Sequence, residues 1–326
     1  MTLKTGVTLG LSLFLLSAVA FEARADKLRM AYTAISGVHT ILWVVKEADL
    51  FRKNGIDVET VFIAASSRAV QALISGDLEI IQGAAPTVVE ANLSKADLVM
   101  VGSQYDKLVT SFYVVPSIAR IEDLRGKVIG VSRFGSVSDF AARYMIRKYG
   151  MEPVRDVALV QAGGIPEILA AMQNNLIHGG MISLPSSLKA KRLGMRELLS
   201  TEEIGLDFNM GTFICRRSLL RERRDELKKF LRAIVAAFDL ANQDPAKAKT
   251  VLARYTRTDD REVLDATYVE YVKKYARRIP LVSLPGLKPI IDFIGESRPE
   301  AKRLRPEEML DNSMLRELEG ELGRSR

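Results

Sequence analysis

The chain has 326 residues, 48% of them hydrophobic and 27% charged, with a net charge of +7, one Trp, one Cys and two His. That apolar fraction excludes a disordered chain, and the length calls for one large or two moderate globular units. A single cysteine excludes an internal disulfide, a thiolate zinc cage and an iron–sulfur cluster, and His39 and His178 alone cannot build a multi-histidine metal centre.

The first segment reads as a targeting signal. Met1-Thr-Leu-Lys4 is a short basic start, residues 7–21 form an apolar run, and Ala23-Arg24-Ala25 closes it in the A-x-A form that signal peptidase reads. The run is shorter than the ~20 residues of a spanning helix. Residues 1–25 are therefore expected to be a signal peptide cleaved after Ala25, leaving a soluble periplasmic protein. No Cys stands at the cleavage point, so no lipid anchor is expected. The basic residues concentrate at 216–224 and 302–305, interleaved with Glu and Asp. They read as solvated helix faces, and no nucleic-acid partner is expected.

From residue 27 strands and helices alternate. Residues 27–32 predict a strand, and 40–51 a helix closed by Lys53-Asn54-Gly55. A strand over 56–63 is followed by a helix at 68–74, stopped by Ser75-Gly76-Asp77. A strand over 78–81 runs into Gly83-Ala-Ala-Pro86, then come a helix at 87–93 and a strand at 97–102. This order is that of an open, largely parallel sheet. After a strand at 109–115 and a turn at 121–126, a second series begins: strand 127–132, helix 139–149, strand 156–161, a helix opened by Pro166, and strand 180–183. Residues 69–86 and 166–185 repeat one pattern of helix, polar stop, strand and proline-closed loop, which favours two lobes of like topology.

Beyond a strand at 208–215 the pattern is helical. Amphipathic helices are predicted over 223–243, from Pro245, and over 259–275, where Tyr268, Tyr271, Val272 and Tyr275 share one face and read as core. Residues 279–289 read as a proline-punctuated loop, and the polar tail from Glu317 is expected to fray.

Several segments then match one family in order: Tyr32-Thr-Ala-Ile-Ser-Gly37, Ala65-Ser-Ser-Arg-Ala-Val-Gln-Ala-Leu73, Ser75-Gly-Asp77, Asp123-Leu-Arg-Gly-Lys-Val-Ile-Gly-Val131, Gly135-Ser-Val-Ser-Asp139 and Gly163-Gly-Ile-Pro-Glu-Ile-Leu169. Together they resemble the periplasmic substrate-binding proteins of ABC importers, in the nitrate, sulfonate and taurine branch that is related to the thiamine-pyrimidine synthases. The resemblance implies an α/β, two-lobe periplasmic binding protein fold of type II, with two crossing hinge strands and a ligand cleft between the lobes. Lobe 1 is expected over 26–110 and 212–326, including the terminal helices, and lobe 2 over 111–211. The crossings are expected near 107–115 and 207–215. The branch usually carries an acidic residue where this chain has His178, which reads as a structural or surface residue rather than a ligand contact.

In such sheets ligands sit beyond the carboxyl ends of the strands, where helix N-termini offer free N–H groups to an anion. On that basis Ser66 and Ser67 in one lobe and Ser136 and Ser138 in the other are candidates to hold a sulfonate, carboxylate or similar head. An ordinary helix cap is the alternative role for each. Tyr32 ends the first strand, and Ser36, Gly37 and His39 lie on the loop after it, where His39 either donates to the ligand or is a surface histidine. Ala85, Pro86 and Ser183 occupy matching loops, and Arg133 can pair with an anion or with solvent-side acids. Asp139 either stabilises its own helix start or accepts from a ligand amine. Aromatic closure by Tyr32, Tyr105 or Phe112 would mark a ring-bearing ligand, an arginine there a compact anion, and both stay open.

The expected function is non-enzymatic. The protein is read as an exported monomer without cofactor or metal that captures a small organic anion or zwitterion and delivers it to an ABC permease in the inner membrane, the lobes closing about the hinge. The alternatives are a thiamine-pyrimidine synthase-like enzyme, which the export signal and the lone Cys215 oppose, and a sensory scaffold that presents its ligand to a membrane receptor.

Overall fold

A computed structural model describes residues 27–324. The predicted signal peptide and its cleavage site lie outside the described residues. Among the described residues, ten strands form two five-stranded sheets: β1 (Leu28–Tyr32), β2 (Val58–Phe62), β3 (Ile80–Ala84), β4 (Leu98–Lys107), β5 (Ser111–Val114), β6 (Val128–Val131), β7 (Ala158–Gln161), β8 (Gly179–Ile182), β9 (Arg196–Leu199) and β10 (Asp207–Arg216). The strand orders are β2-β1-β3-β10-β4 and β7-β6-β8-β5-β9.

The two sheets share one plan. In the first, β1 runs parallel to β2 and β3, while β10 is antiparallel to β3 and β4. In the second, β6 runs parallel to β7 and β8, while β5 is antiparallel to β8 and β9. Each sheet thus has a single reversed strand, fourth in order, which is the two-lobe architecture that the repeated pattern at 69–86 and 166–185 suggests. Every residue of the central strand β3 is buried, as helices on both faces of a sheet require.

Helix packing follows from spacing. The helix Arg224–Gln243 buries Leu227, Phe230, Leu231, Ile234, Ala237 and Ala241, one stripe at three- and four-residue intervals. It lies against Thr40–Glu47 and the short helix Leu50–Lys53, where Phe51 and Phe230 stack with centroids 5.4 Å apart.

The chain passes between the sheets twice, side by side. β4 and β10 are paired from Arg216 opposite Leu98 to Asp207 opposite Lys107, and these last two side chains form an ion pair. One residue further, the Leu108 N–H donates to the Leu206 carbonyl at 3.2 Å. β10 belongs to the first sheet along its whole length, so the boundary expected at 211/212 falls inside it.

Two readings of the sequence, the end of β4 and the tail, need correction, and one stretch carried no reading. β4 continues to Lys107, five residues past its expected end, because it is paired along its length by β10. The strand β9 and the helices Ser186–Arg192 and Thr201–Ile204 lie in a stretch too short and too charged to show a clear period. As far as residue 324, the tail is helical rather than frayed. Ser313–Arg324 is a helix whose Met314, Leu315 and Leu318 are buried, while Glu317 pairs with Arg224 and Lys228, and Glu321 with Lys228 and Arg232. The expected helix at 259–275 is Arg261–Tyr268 followed by a π-helical turn, Val269–Lys274; Tyr268, Tyr271 and Val272 are core as read, whereas Tyr275 is only partly buried and its hydroxyl donates to Glu202 at 2.6 Å. Among the described residues, no helix is long and apolar enough to cross a membrane.

Candidate functional site

The carboxyl ends of the parallel strands of both sheets face one cavity of about 360 Å³. Residues 33–36, 38 and 39 after β1, the start of the helix Ser66–Ser75 after β2, and Gly83 of β3 form one wall. The opposite wall is made by the loop after β6, the loop and helix start after β7, and Met181 and Ser183 at the end of β8. Thr110, Met210 and Gly211 lie where the chain passes between sheets. Gly211 is a site that needs glycine: it has φ +63° at a bulge in β10, with Gln104 and Tyr105 3.1 Å from where a Cβ would stand. Apolar side chains, among them Phe62, Val38, Ile165, Ile168, Met181 and Met210, dominate the surface, and hydroxyls are set into it.

Ser66 opens the first wall's helix. It lines the cavity, is 2% exposed, and its Oγ has no hydrogen-bond partner. A buried hydroxyl without a partner costs free energy, and here it stands beside first-turn N–H groups that cannot bond within the helix. The chain enters this helix through Ala65 at φ 71°, a conformation rare for a residue with a Cβ. That residue is tied back by its N–H to the Thr33 carbonyl at 3.0 Å.

Across the cavity, Ser132, Ser136 and Ser138 form a closed ring of hydroxyls, with Oγ–Oγ distances of 2.8, 2.8 and 3.0 Å. The Ser132 N–H donates to Ser138 Oγ at 2.8 Å. Ser136 caps the helix Val137–Lys148, so the ring lies on a positive helix end. Each hydroxyl can rotate its proton out of the ring toward an acceptor in the cavity.

His39 is buried and spends both ring nitrogens inside the protein. Its Nδ1 is 2.7 Å from Gln82 Oε1, and the Thr33 N–H donates to its Nε2 at 3.4 Å. Gln82 in turn donates from Nε2 to the Gly211 carbonyl at 3.4 Å. The imidazole is therefore neutral with its proton on Nδ1. Burial, partly offset by the Gln82 bond, lowers its pKa to about 4.

The two walls touch. Ser36 Oγ and Ser183 Oγ are 2.8 Å apart, and the Gly37 N–H donates to the Leu184 carbonyl at 3.0 Å. Behind this contact, Gly37 presses on Tyr271 of the π-helical turn. The Tyr271 hydroxyl donates to the Val109 carbonyl in the passage between sheets, and the Tyr105 hydroxyl donates to the Val38 carbonyl. Burial pushes both tyrosine hydroxyls well above their ordinary pKa, so they stay protonated donors.

Of the residues singled out by sequence, Ser36, His39, Ser66, Ser136, Ser138 and Ser183 line the cavity. The others lie outside its lining. Tyr32 packs its ring 5.3 Å from Phe62. Gly37 is buried against Tyr271, and Ala85 and Pro86 are buried in the first turn of the helix Ala85–Leu93. Ser67 faces Gly135 of the opposite wall, and Arg133 is exposed. Asp139 commits its carboxylate to its own loop, accepting from the Gly135 N–H at 2.9 Å and from Arg143 Nε at 2.7 Å. Tyr105 and Phe112 are fully buried, and the aromatic ring in the lining is Phe62. His178 accepts from the Val128 N–H at 3.2 Å, the structural role expected of it. Cys215 is buried in the first sheet.

Sequence reading missed Thr33, Phe62, Thr110, Ser132, Glu167, Met181 and Met210. Ser132 and Glu167 were within reach, since one ends a strand before a helix start and the other sits in the first turn after Gly163-Gly164. Phe62 and Met210 required knowing which face of the strand is inward.

The sequence pattern of the family described as NMT1/THI5 like matches residues 36–248. YtlA of Bacillus subtilis (strain 168), which carries a binding-protein name, is 23% identical over 272 residues, covering 81% of each chain. The alkanesulfonate-binding protein SsuA from Xanthomonas axonopodis pv. citri, solved with MOPS bound, superposes with a TM-score of 0.74 at 18% identity, over 88% of this chain and 98% of that one. The periplasmic aliphatic sulphonate binding protein SsuA from Escherichia coli gives 0.70 at 17%, over 88% and 92%. The fold is that of the periplasmic binding proteins, and these relatives are binding proteins rather than enzymes.

Proposed function

The chain belongs to the NMT1/THI5-like family, and from that premise we propose that it is an exported solute-binding protein that captures a small organic anion or zwitterion between its two sheets and delivers it to an ABC permease. The observation that carries this reading is the buried, unpartnered Ser66 hydroxyl at a helix start, set across one cavity from the Ser132, Ser136 and Ser138 ring at another. An acid group between them accepts from Ser66 Oγ and first-turn N–H groups on one side and from a rotated serine hydroxyl on the other, with both helix ends favouring its charge. The apolar walls take the organic body. Because the ligand contacts both sheets, binding favours the closed form, with Ser36 on Ser183, over an open one.

The test is native mass spectrometry of residues 26–326 and a thermal-shift panel of sulfonates, carboxylates, nitrate, amino acids and pyrimidines. A micromolar ligand at millimolar concentration adds about 4 kcal/mol of apparent stability. A shift with one acid class that Ser66→Ala reduces is the expected result. Shifts only with ligands lacking an acid group, or an acid response indifferent to Ser66→Ala, would overturn the reading. Uptake by the reconstituted permease that proceeds equally without this protein would overturn the delivery role.

A further inference from the structure

Three helix starts border the cavity, and they are not alike. Those at Ser66 and Ser136 present hydroxyls, whereas the third, the helix Ile165–Gln173, presents Glu167. Glu167 is the one charged side chain among the described lining residues, and no lysine or arginine joins it there. Its position is allowed by two glycines. The Glu167 Oε2 lies 2.7 Å from where a Cβ on Gly164 would stand, and the Glu167 Cβ lies 3.1 Å from the same point on Gly163, so the side chain folds back over the loop. Pro166 removes one N–H from this helix's first turn, and the Glu167 carboxylate offsets the helix's positive end.

This third start therefore repels an acid group that the other two attract. The cavity is bipolar: an anion-accepting end built from hydroxyls and free helix N–H groups, and a carboxylate at the rim that forms no ion pair among the described residues. Asp139, the other acid near the cleft, is bonded to Gly135 and Arg143 and cannot serve.

We infer that Glu167 is a specificity-determining residue that selects ligands carrying a cationic or strongly donating nitrogen as well as an acid group, so that the ligand class is zwitterionic, with an apolar body lying between the two charged ends. This rests on the acid-binding reading of the Ser66 end.

The test uses matched probe pairs differing by one amine: 4-(aminomethyl)benzoate against 4-methylbenzoate, and 3-aminopropanesulfonate against propanesulfonate. Affinities are measured calorimetrically with the native protein and with Glu167→Gln. Glu167 is exposed and its side chain forms no ion pair among the described residues, and an unchanged melting curve verifies the variant's fold. In a pair that binds, the amine-bearing member is expected to bind about tenfold tighter to the native protein, the scale of one charge-assisted hydrogen bond. Glu167→Gln abolishes that preference and strengthens binding of the amine-free acid. Equal affinities in the native protein, or a preference that persists in Glu167→Gln, would overturn the inference while leaving the acid-binding site intact. If none of the four probes binds the native protein while Glu167→Gln binds the amine-free acids, the acid end stands and the selectivity for zwitterions is refuted. Failure of every probe with both proteins refutes the acid-binding reading, and the inference with it.

Discussion

Protonation of His39 is expected to unfold the cleft from within. Its neutral ring donates from Nδ1 to Gln82 and accepts from the Thr33 N–H at Nε2. A second proton on Nε2 would set two donors face to face in a site with 1% exposure. Its pKa is about 4 in the folded protein against an ordinary 6.5. The unfolded chain therefore binds a proton as pH falls through 6.5, while the native protein declines it until about 4. The stability that the neutral ring contributes is fully present above pH 6.5 and is lost between there and pH 4. From pH 7 to pH 5 the loss from this group alone is about 2 kcal/mol. The assay is urea unfolding at pH 7, 6 and 5, followed by fluorescence of Trp43, the sole tryptophan, whose ring lies 6.1 Å from that of His39. Carboxylates titrate in both the native protein and His39→Gln, so the difference between their pH profiles isolates the histidine. The variant is expected to be less stable at pH 7 and to lose about 2 kcal/mol less on going to pH 5. Parallel profiles would refute the assignment of a buried neutral imidazole.

Gly37→Ala would place a methyl 2.2 Å from Tyr271 Cδ2 and 2.7 Å from Thr267 Cγ2, both buried, and should cost about 2–3 kcal/mol in the same urea experiment; an unshifted midpoint would contradict the close approach. Ser66→Ala removes a buried hydroxyl that has no partner, so the ligand-free protein should gain up to about 1 kcal/mol even as acid binding weakens, measured by melting with and without ligand. A chain ending before Ser313 exposes the core that Met314, Leu315 and Leu318 cover, and its midpoint should fall by roughly 5 kcal/mol of stability. Unchanged stability there would mean that the terminal helix is not docked.

The alternation of strands and helices was readable because each carries its own period and its own stops, as Lys53-Asn54-Gly55 and Pro166 illustrate. The end of β4 was not, since what extends it to Lys107 is pairing with a strand more than a hundred residues later. The same holds for the tail: Leu315 and Leu318 look sparse among Arg and Glu until the helix Arg224–Gln243 supplies both an apolar stripe and the cations for Glu317. At the cleft, serines at helix starts could be named because their place follows from strand ends. Whether Asp139 faces a ligand or its own loop depends on Gly135 and Arg143 meeting it in space. Glu167 was hidden by the usual role of a first-turn acid in steadying its own helix, a role it also performs.

The reversed strand in the first sheet has a bearing on how the molecule assembles. All five strands of the second sheet lie between residues 111 and 199, whereas the first sheet cannot join β3 to β4 until β10, at 207–216, has arrived. A chain emerging from its N-terminus presents β1 to β4 long before their bridge exists, and domains generally fold as units during synthesis. The second sheet can thus close as one contiguous unit while the first waits with two unpaired edges. Completion of the first sheet is a late, long-range event of the slow kind, and it brings the two passages between the sheets together in the same step.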